Sequence, residues 1–370
     1  MTDNDILVLG GGMIGTAIAE ELARRGRRVT VLEQGTIGCE ASTAAAGILS
    51  AQMDIERPGP LLDLCQASRR IYPGWARRLE SASKQRVGWH EDGILWVAFN
   101  QPELRRMARR AAWQRRRGLP VETWSAFQIR HREPVVSRRV AGGFFFPTEA
   151  QLDNVKLMRA LAIAARKAGV TIREGIRVSR VRQSPRGLRV ETSAGVREAK
   201  TVINCLGSWA PLDGLLPRPP IIPARGQILC FDAPKQLFRH VVMSDRAYGV
   251  QRRDGRLIVG STVEFVGYNR HLTLAGIQTI MSGFEEMTDG DLVGDCTLRG
   301  TWAGLRPYCE DQLPMLGPTS IPGLLLAAGH FRHGILLAPI TATLIADVVT
   351  TDRCPIELVP FLPSRFSRRR

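Results

Sequence analysis

Near the start of the chain, Gly10, Gly12 and Gly15 stand as G-x-G-x-x-G between an apolar run, Ile6–Leu9, and helically spaced Ala17, Ile18, Leu22 and Ala23. Glycines at that spacing let the chain turn tightly, bring its backbone against a pyrophosphate, and pack helix closely on strand. Phosphates then sit at the helix N-terminus, where free N–H groups and the helix dipole favour negative charge. A second β-branched run, Val29–Leu32, ends in Glu33, whose carboxylate suits a ribose 2′-hydroxyl and disfavours a 2′-phosphate. Strand, glycine turn, helix, strand and terminal acid in that order predict a bound dinucleotide. NAD and FAD satisfy this stretch equally.

Other residues with chemical potential lie far from this turn. Residues 35–49 are rich in small side chains, which suits a backbone passing close to a flat ligand. The run TVINCLGSWA (201–210) ends in Gly207 and small residues, as a parallel strand does beside a cofactor. Arg306 follows a short strand, with Gly304 beside it and Pro307 after it, and is expected to project from the strand end into a cleft. Its guanidinium is a planar, permanently charged fork for a carboxylate. The competing role is a surface ion pair, and for Tyr248 it is a half-buried place in a strand. His330 and His333 have metal-like spacing, but no further histidine or acid cluster completes a site, so no metal is expected. Seven cysteines lie scattered without a C-x-x-C pair, which fits buried thiols in a reducing cytoplasm.

The elements that must position these residues follow from length and pattern. A chain of 370 residues exceeds one simple core and predicts two domains. Helices are expected at 58–79 (with a break at Pro73-Gly74), 102–117, from Ser125 to before Pro134, Asn154–Lys167 behind the N-cap Asp153, Leu274–Met287 and 335–349. Strand, turn and strand are expected over 87–99 around Asp92-Gly93. Further strands are expected at Gly142–Phe146, 170–173, 177–181, 188–192, 201–206, 226–231, 247–251, 256–262, 301–305 and 323–328. Proline-rich 211–223 marks a crossing between domains. The fold class is α/β: a Rossmann-like dinucleotide domain (1–84, 148–217, 300–364) and an interleaved α+β substrate domain on an antiparallel or mixed sheet (85–147, 218–299), with a basic tail at 365–370.

The formal net charge of +16 comes chiefly from dispersed arginines, densest over 105–117. A solvated helix face and tail account for them, and the field would attract anionic substrates. No aromatic interleaving or nucleic-acid motif accompanies them, so no nucleic-acid partner is expected. No apolar run is expected to approach the roughly 20 residues that span a bilayer. The first strand begins too early for a signal peptide, so a cytoplasmic location is expected.

STAAAGIL (42–49), GRLIVGST (255–262), WAGLRP (302–307) and AAGHFRHGILLAP (327–339) give the chain its resemblance, almost end to end, to the glycine oxidase branch of the D-amino-acid oxidase family of flavoproteins. The last motif is that family's closing FAD segment and separates FAD from NAD. The resemblance implies non-covalent FAD, oxidation of a small amino acid or amine to its imine, and reoxidation by O2 to hydrogen peroxide. It also implies a supply of imine to the thiazole-synthesis machinery of thiamine, and a homo-oligomer, commonly a tetramer. Tyr248 and Arg306 would hold the substrate carboxylate, with Arg332 at the rim or amine end. Cofactor contacts are implied at Gly10, Gly12, Met13, Ile14, Gly15, Glu33, Gln34, Thr43, Ala44, Ala45, Ala46, Gly47, Val178, Gly207, Trp209, Arg306, His330, Arg332, His333, Gly334, Ile335 and Leu336.

Departures from the family pattern bear on substrate choice: relatives often carry asparagine in place of His333 and methionine in place of Val263. Cys309 lies in the region where related sarcosine oxidases attach FAD covalently, but the local pattern differs. Glycine, sarcosine, proline and small D-amino acids stay unranked. Three other activities are compatible with the same frame. One is a quinone- or partner-linked dehydrogenase of D-amino acids, proline or glycine (the cyanide-forming type), supported only by the basic tail. Another is a flavoprotein acting on modified RNA, which requires a contiguous positive face. The third is a redox-silent FAD module, against which Arg306 and Tyr248 argue.

Overall fold

The computed structural model describes residues 6–213, 218–351, 353 and 355–366. Its first sheet has six strands in the order Met315–Pro318, Leu324–Ala328, Thr201–Asn204, Ile6–Leu9, Val29–Leu32 and Thr171–Arg173. All pair in parallel except the edge strand Met315–Pro318. Strand residues alternate between faces, and the sheet divides accordingly. Ile6 and Val8 enter one core with helices Met13–Arg24, Pro60–Ser83, Asn154–Lys167 and Gly334–Thr351. Leu7 and Leu9 enter another, beneath a three-stranded sheet of Val178–Ser184, Gly187–Thr192 and Gly195–Ala199. Central strands buried on both faces explain why these runs read as continuously apolar.

The second sheet has eight strands, in the order Thr297–Cys309, Ile221–Asp232, Arg256–Gly260, Tyr248–Gln251, Val241–Met243, Ile94–Ala98, Gly142–Phe146 and Glu122–Ser125. It is antiparallel apart from one parallel pair, Val241–Met243 with Ile94–Ala98. Helix Leu274–Met287 covers one face through Ile280, Phe284 and Met287, and Met107 and Ala111 of Gln101–Arg116 cover the other.

Several expectations need correction. Helix Pro60–Ser83 runs through Pro73 without a break. Proline removes one helix hydrogen bond, but Tyr72, Trp75, Ala76 and Leu79 anchor both sides in the core. Only the second half of 87–99 is a strand; His90 makes an isolated bridge to Gln151 instead. Strands Glu122–Ser125 and Gly195–Ala199 were not expected from the pattern, being short and largely exposed. The strand expected at 301–305 spans Thr297–Cys309, so Arg306 lies inside it and not at its end. Pro307 is accommodated because this strand is at the sheet edge, where a missing N–H is tolerated. That strand belongs to the second sheet, so the boundary expected at 300 falls within it. Arg365 is no tail residue: it donates to Asp311 at 2.7 Å and to the Phe361 carbonyl at 2.7 Å. The remaining tail, 367–370, lies outside the described residues. Finally, 21 residues, Phe331–Thr351, are long and apolar enough to cross a bilayer, contrary to expectation. Their apolarity has a core role, since Ile335, Leu336, Leu337, Ala338, Leu344 and Ile345 are all buried with the helices named above.

Candidate active site

A cavity of about 540 Å³ extends from the glycine turn of the first sheet to the strands of the second. Gly10, Gly12, Met13 and Ile14 line its first end. Gly10 has φ +97°, and a Cβ there would stand 2.6 Å from the Cys205 carbonyl oxygen. Gly15 does not line the cavity. A side chain on it would overlap the Gly10 carbonyl, so it serves the close packing of helix on strand.

The Glu33 carboxylate lines the cavity, already oriented by N–H donation from Gly11 (2.7 Å) and Gly35 (2.8 Å). Gln34 lies beside it. Ser42, which was not singled out from the sequence, accepts from the Met13 N–H at 2.8 Å and ties the small-residue stretch to the helix start.

Ala44, Ala45, Ala46 and Gly47 form one wall, as the absence of bulk along 35–49 predicts. Thr43 points away; its hydroxyl donates to the Gly38 carbonyl at 2.9 Å. The wall is fixed from behind by Asn154, donating to the carbonyls of Ser42 and Thr43 at 2.9 Å each. Buried Arg252 donates to the Ala46 carbonyl and, at 2.8 Å, to Gln151. Val178, Gly207 and Trp209 also line the cavity, with the Trp209 ring 5.5 Å from that of Tyr268. His330, Arg332, His333, Gly334, Ile335 and Leu336 close the floor. The first turn of an 18-residue helix thus faces the cavity, with its positive dipole end inward.

At the far end the guanidinium of Arg306 donates to the Thr262 carbonyl (3.0 Å) and the Ser261 hydroxyl (2.8 Å). Among the described residues it has no acidic partner, and burial, reinforced by Arg332, lowers its pKa. Tyr248, opposite Gly260 in register, stands beside it, its phenol pushed up by burial and opposed by Arg306. Arg332 lies over the Phe331 ring at 5.2 Å and likewise has no acidic partner among the described residues. His330 is pushed down to about 3 by burial and lies 3.2 Å from the Thr341 hydroxyl. Burial also lowers His333, with Asp54 opposing. Both imidazoles are therefore neutral near pH 7. Among the described residues, no group of three histidine, cysteine, aspartate or glutamate side chains gathers. Cys309 is buried away from the cavity lining, its thiol pushed up to about 12 by burial.

Ser261, Thr262 and Gly226 shape the seat of Arg306 and were not anticipated individually. The sequence signal for Ser261 and Thr262 is the Ser-Thr pair that closes GRLIVGST, which says nothing of Gly226.

A cavity that joins the glycine turn to a half-buried arginine without an acidic partner among the described residues has the frame of a dinucleotide-dependent oxidoreductase. The family model for FAD dependent oxidoreductases matches residues 5–348, and the chain belongs to that family. It is an enzyme family, and the long slot with its oriented Glu33 and inward helix end fits FAD. Glycine oxidase of Geobacillus kaustophilus is 32% identical over 366 residues, covering 98% of this chain and 97% of its own. The crystal structure of the glycine oxidase from that organism superposes with a TM-score of 0.93, covering 98% of each chain. The bifunctional protein ThiO/ThiG of Synechocystis is 38% identical over 99% of this chain. This chain spans about half, 54%, of that relative's length.

Proposed function

We propose that this enzyme oxidises glycine, or a small amine like it, to the imine with O2 as final acceptor. The Arg306 guanidinium beside Tyr248 carries the reading, because a half-buried fork that lines the cavity and has no acid among the described residues suits an incoming carboxylate. FAD, which Gly10, Gly12, Glu33 and residues 44–47 and 334–336 would hold, would supply the two-electron oxidation, as acceptor of a hydride from the substrate α-carbon, with O2 as the final acceptor reduced to H2O2.

The chain's own residues bind and orient. Arg306 and Tyr248 fix the carboxylate, which would hold the α-carbon in one orientation within the cavity that Gly334 and Ile335 also line. Arg306 and Arg332 together disfavour a further positive charge, so a bound ammonium loses its proton more readily and its lone pair becomes available. Neutral His330 and His333 add no further positive charge near pH 7. The helix beginning at Gly334 faces the cavity with the dipole sign that stabilises a developing anion. Released imine hydrolyses to the oxo acid and ammonia, or is consumed by a partner that builds a thiazole, a role favoured by the fused ThiO/ThiG relatives. We propose a homo-oligomeric, cytoplasmic enzyme, with a tetramer checked by light scattering.

The test is an aerobic assay of the yellow protein with glycine, sarcosine, proline and D-alanine, following H2O2 and ammonia. Arg306→Met retains the flavin, while KM rises by about two to four decades, since an unpaired carboxylate costs ~3–5 kcal/mol. An unchanged KM would overturn the assignment of the clamp.

A further inference from the structure

The seat of Arg306 is held by a charge network set behind the cavity. The guanidinium lies against Gly226, where any Cβ would overlap Nη1 and Nη2, and donates to residues 261 and 262 on the other side. Its two walls are therefore the backbone at 225–227 and at 261–262. Both walls end on one carboxylate, that of Glu264. Arg225, 3% exposed, donates to Glu264 through Nε and Nη2 at 3.0 Å each and through Nη1 to the His271 carbonyl at 2.8 Å. Gln227, fully buried, donates through Nε2 to Glu264 at 3.0 Å. The Thr262 hydroxyl donates to Glu264 at 2.8 Å and accepts from the Gln227 N–H at 3.0 Å. Backbone bonds between 225 and 264, at 2.8 and 2.9 Å, complete the tie.

We propose that Glu264 is a positioning residue for carboxylate recognition, fixing the Arg306 guanidinium by locking the two segments that cradle it; this rests on Arg306 being the substrate clamp. Glu264 touches neither cavity nor substrate, and acts only through Thr262 and the Arg225–Gln227 strand. A bidentate arginine–carboxylate pair has defined geometry, so it transmits orientation as well as charge. The Arg225 partnership holds the Glu264 carboxyl down at about 2, so it is ionised throughout the working pH range. Thr262 matters because its carbonyl is the acceptor for Arg306 Nη1 while its hydroxyl reports to Glu264. A guanidinium freed from this seat keeps its charge and its planar fork but no longer holds that plane in one orientation toward the ligand.

The experiment uses the FAD-loaded enzyme and compares Glu264→Gln, Glu264→Asp and Thr262→Val with wild type. KM for glycine is measured beside kcat, and the binding of glycolate, a carboxylate without the amine, is read from perturbation of the flavin spectrum. Glu264→Gln raises both KM and the glycolate Kd by about tenfold, while kcat changes by less than about threefold, because lost ground-state orientation appears in binding. Thr262→Val gives a smaller shift in the same direction at full flavin content, and Glu264→Asp restores part of the loss. An unchanged glycolate Kd in fully flavinated Glu264→Gln and Thr262→Val would overturn the proposal. So would parallel losses of flavin, kcat and KM with no selective weakening of the carboxylate. If wild type itself fails to oxidise any small amino acid, the functional reading falls before this one is reached.

Discussion

At the scale of single residues, two glycines of similar appearance carry different burdens, and substitution separates them. The three atoms nearest to a Cβ on Gly226 all belong to the far end of the Arg306 side chain. A flexible terminus moves aside cheaply, so Gly226→Ala is expected to change unfolding free energy by less than ~1 kcal/mol. The same displacement moves the guanidinium off its site, so KM for the amino acid is expected to rise by about tenfold or more. At Gly15 the obstacle is the Gly10 carbonyl, a backbone atom that cannot rotate away. Gly15→Ala is therefore expected to destabilise the fold by ~1–3 kcal/mol and to weaken FAD retention. Chemical denaturation and flavin content, measured on both variants, check the contrast. A Gly226→Ala enzyme with normal KM and impaired folding would reverse it.

At the scale of elements, much of the site depends on loops held by buried polar groups. Glu149 is fully buried and accepts from the N–H groups of Ala51 (2.6 Å), Gln52 (2.8 Å) and Met53 (3.3 Å), pinning the segment between the small-residue wall and helix Pro60–Ser83. Burial pushes its carboxyl from the ordinary 4.5 up to about 7, with those N–H groups pulling the other way. The unfolded chain loses this proton near 4.5 and the folded chain keeps it until about 7, so the contribution is full below 4.5 and fades as pH rises through 7. The fall amounts to about 3 kcal/mol, and Glu149→Gln should flatten it. Urea unfolding of both proteins at pH 5 and 7.5 measures the slope; equal slopes would remove Glu149 as its source.

Elements also set what the sequence revealed. Asn154–Lys167 was legible to the residue because the Asp153 cap accepts from its first turn, and Leu274–Met287, whose expected bounds also hold, proves to start behind a Thr273 cap. The glycine turn was legible because steric demand allows few other residues. The extent of Thr297–Cys309 was not, since its continuation past Arg306 depends on pairing Pro307, Tyr308 and Cys309 with Pro223, Ile222 and Ile221, far back in the chain. Likewise the Glu264 tie reaches Arg225 and Gln227, 39 and 37 residues earlier in the chain, and no local pattern announces it.

At the scale of the whole molecule, the cavity gathers Gly10 and Met13 from the first strand–helix unit, Gly207 and Trp209 from the middle, Tyr248 and Arg306 from the second sheet, and Gly334 to Leu336 from the closing helix. A ligand touching all of these binds the folded state and has no equivalent site in the unfolded chain. Its binding energy therefore adds to folding stability as RT ln(1 + [L]/Kd), about 2.7 kcal/mol at a hundredfold excess over Kd. Stripping FAD should lower Tm by several degrees, and adding it back should raise Tm with the logarithm of its concentration, in a single transition reporting both sheets together. AMP, which reaches only the Glu33 and glycine-turn end, should recover a smaller part. A Tm indifferent to FAD, or raised equally by NAD, would mean that the closing helix and the glycine turn do not share one cofactor.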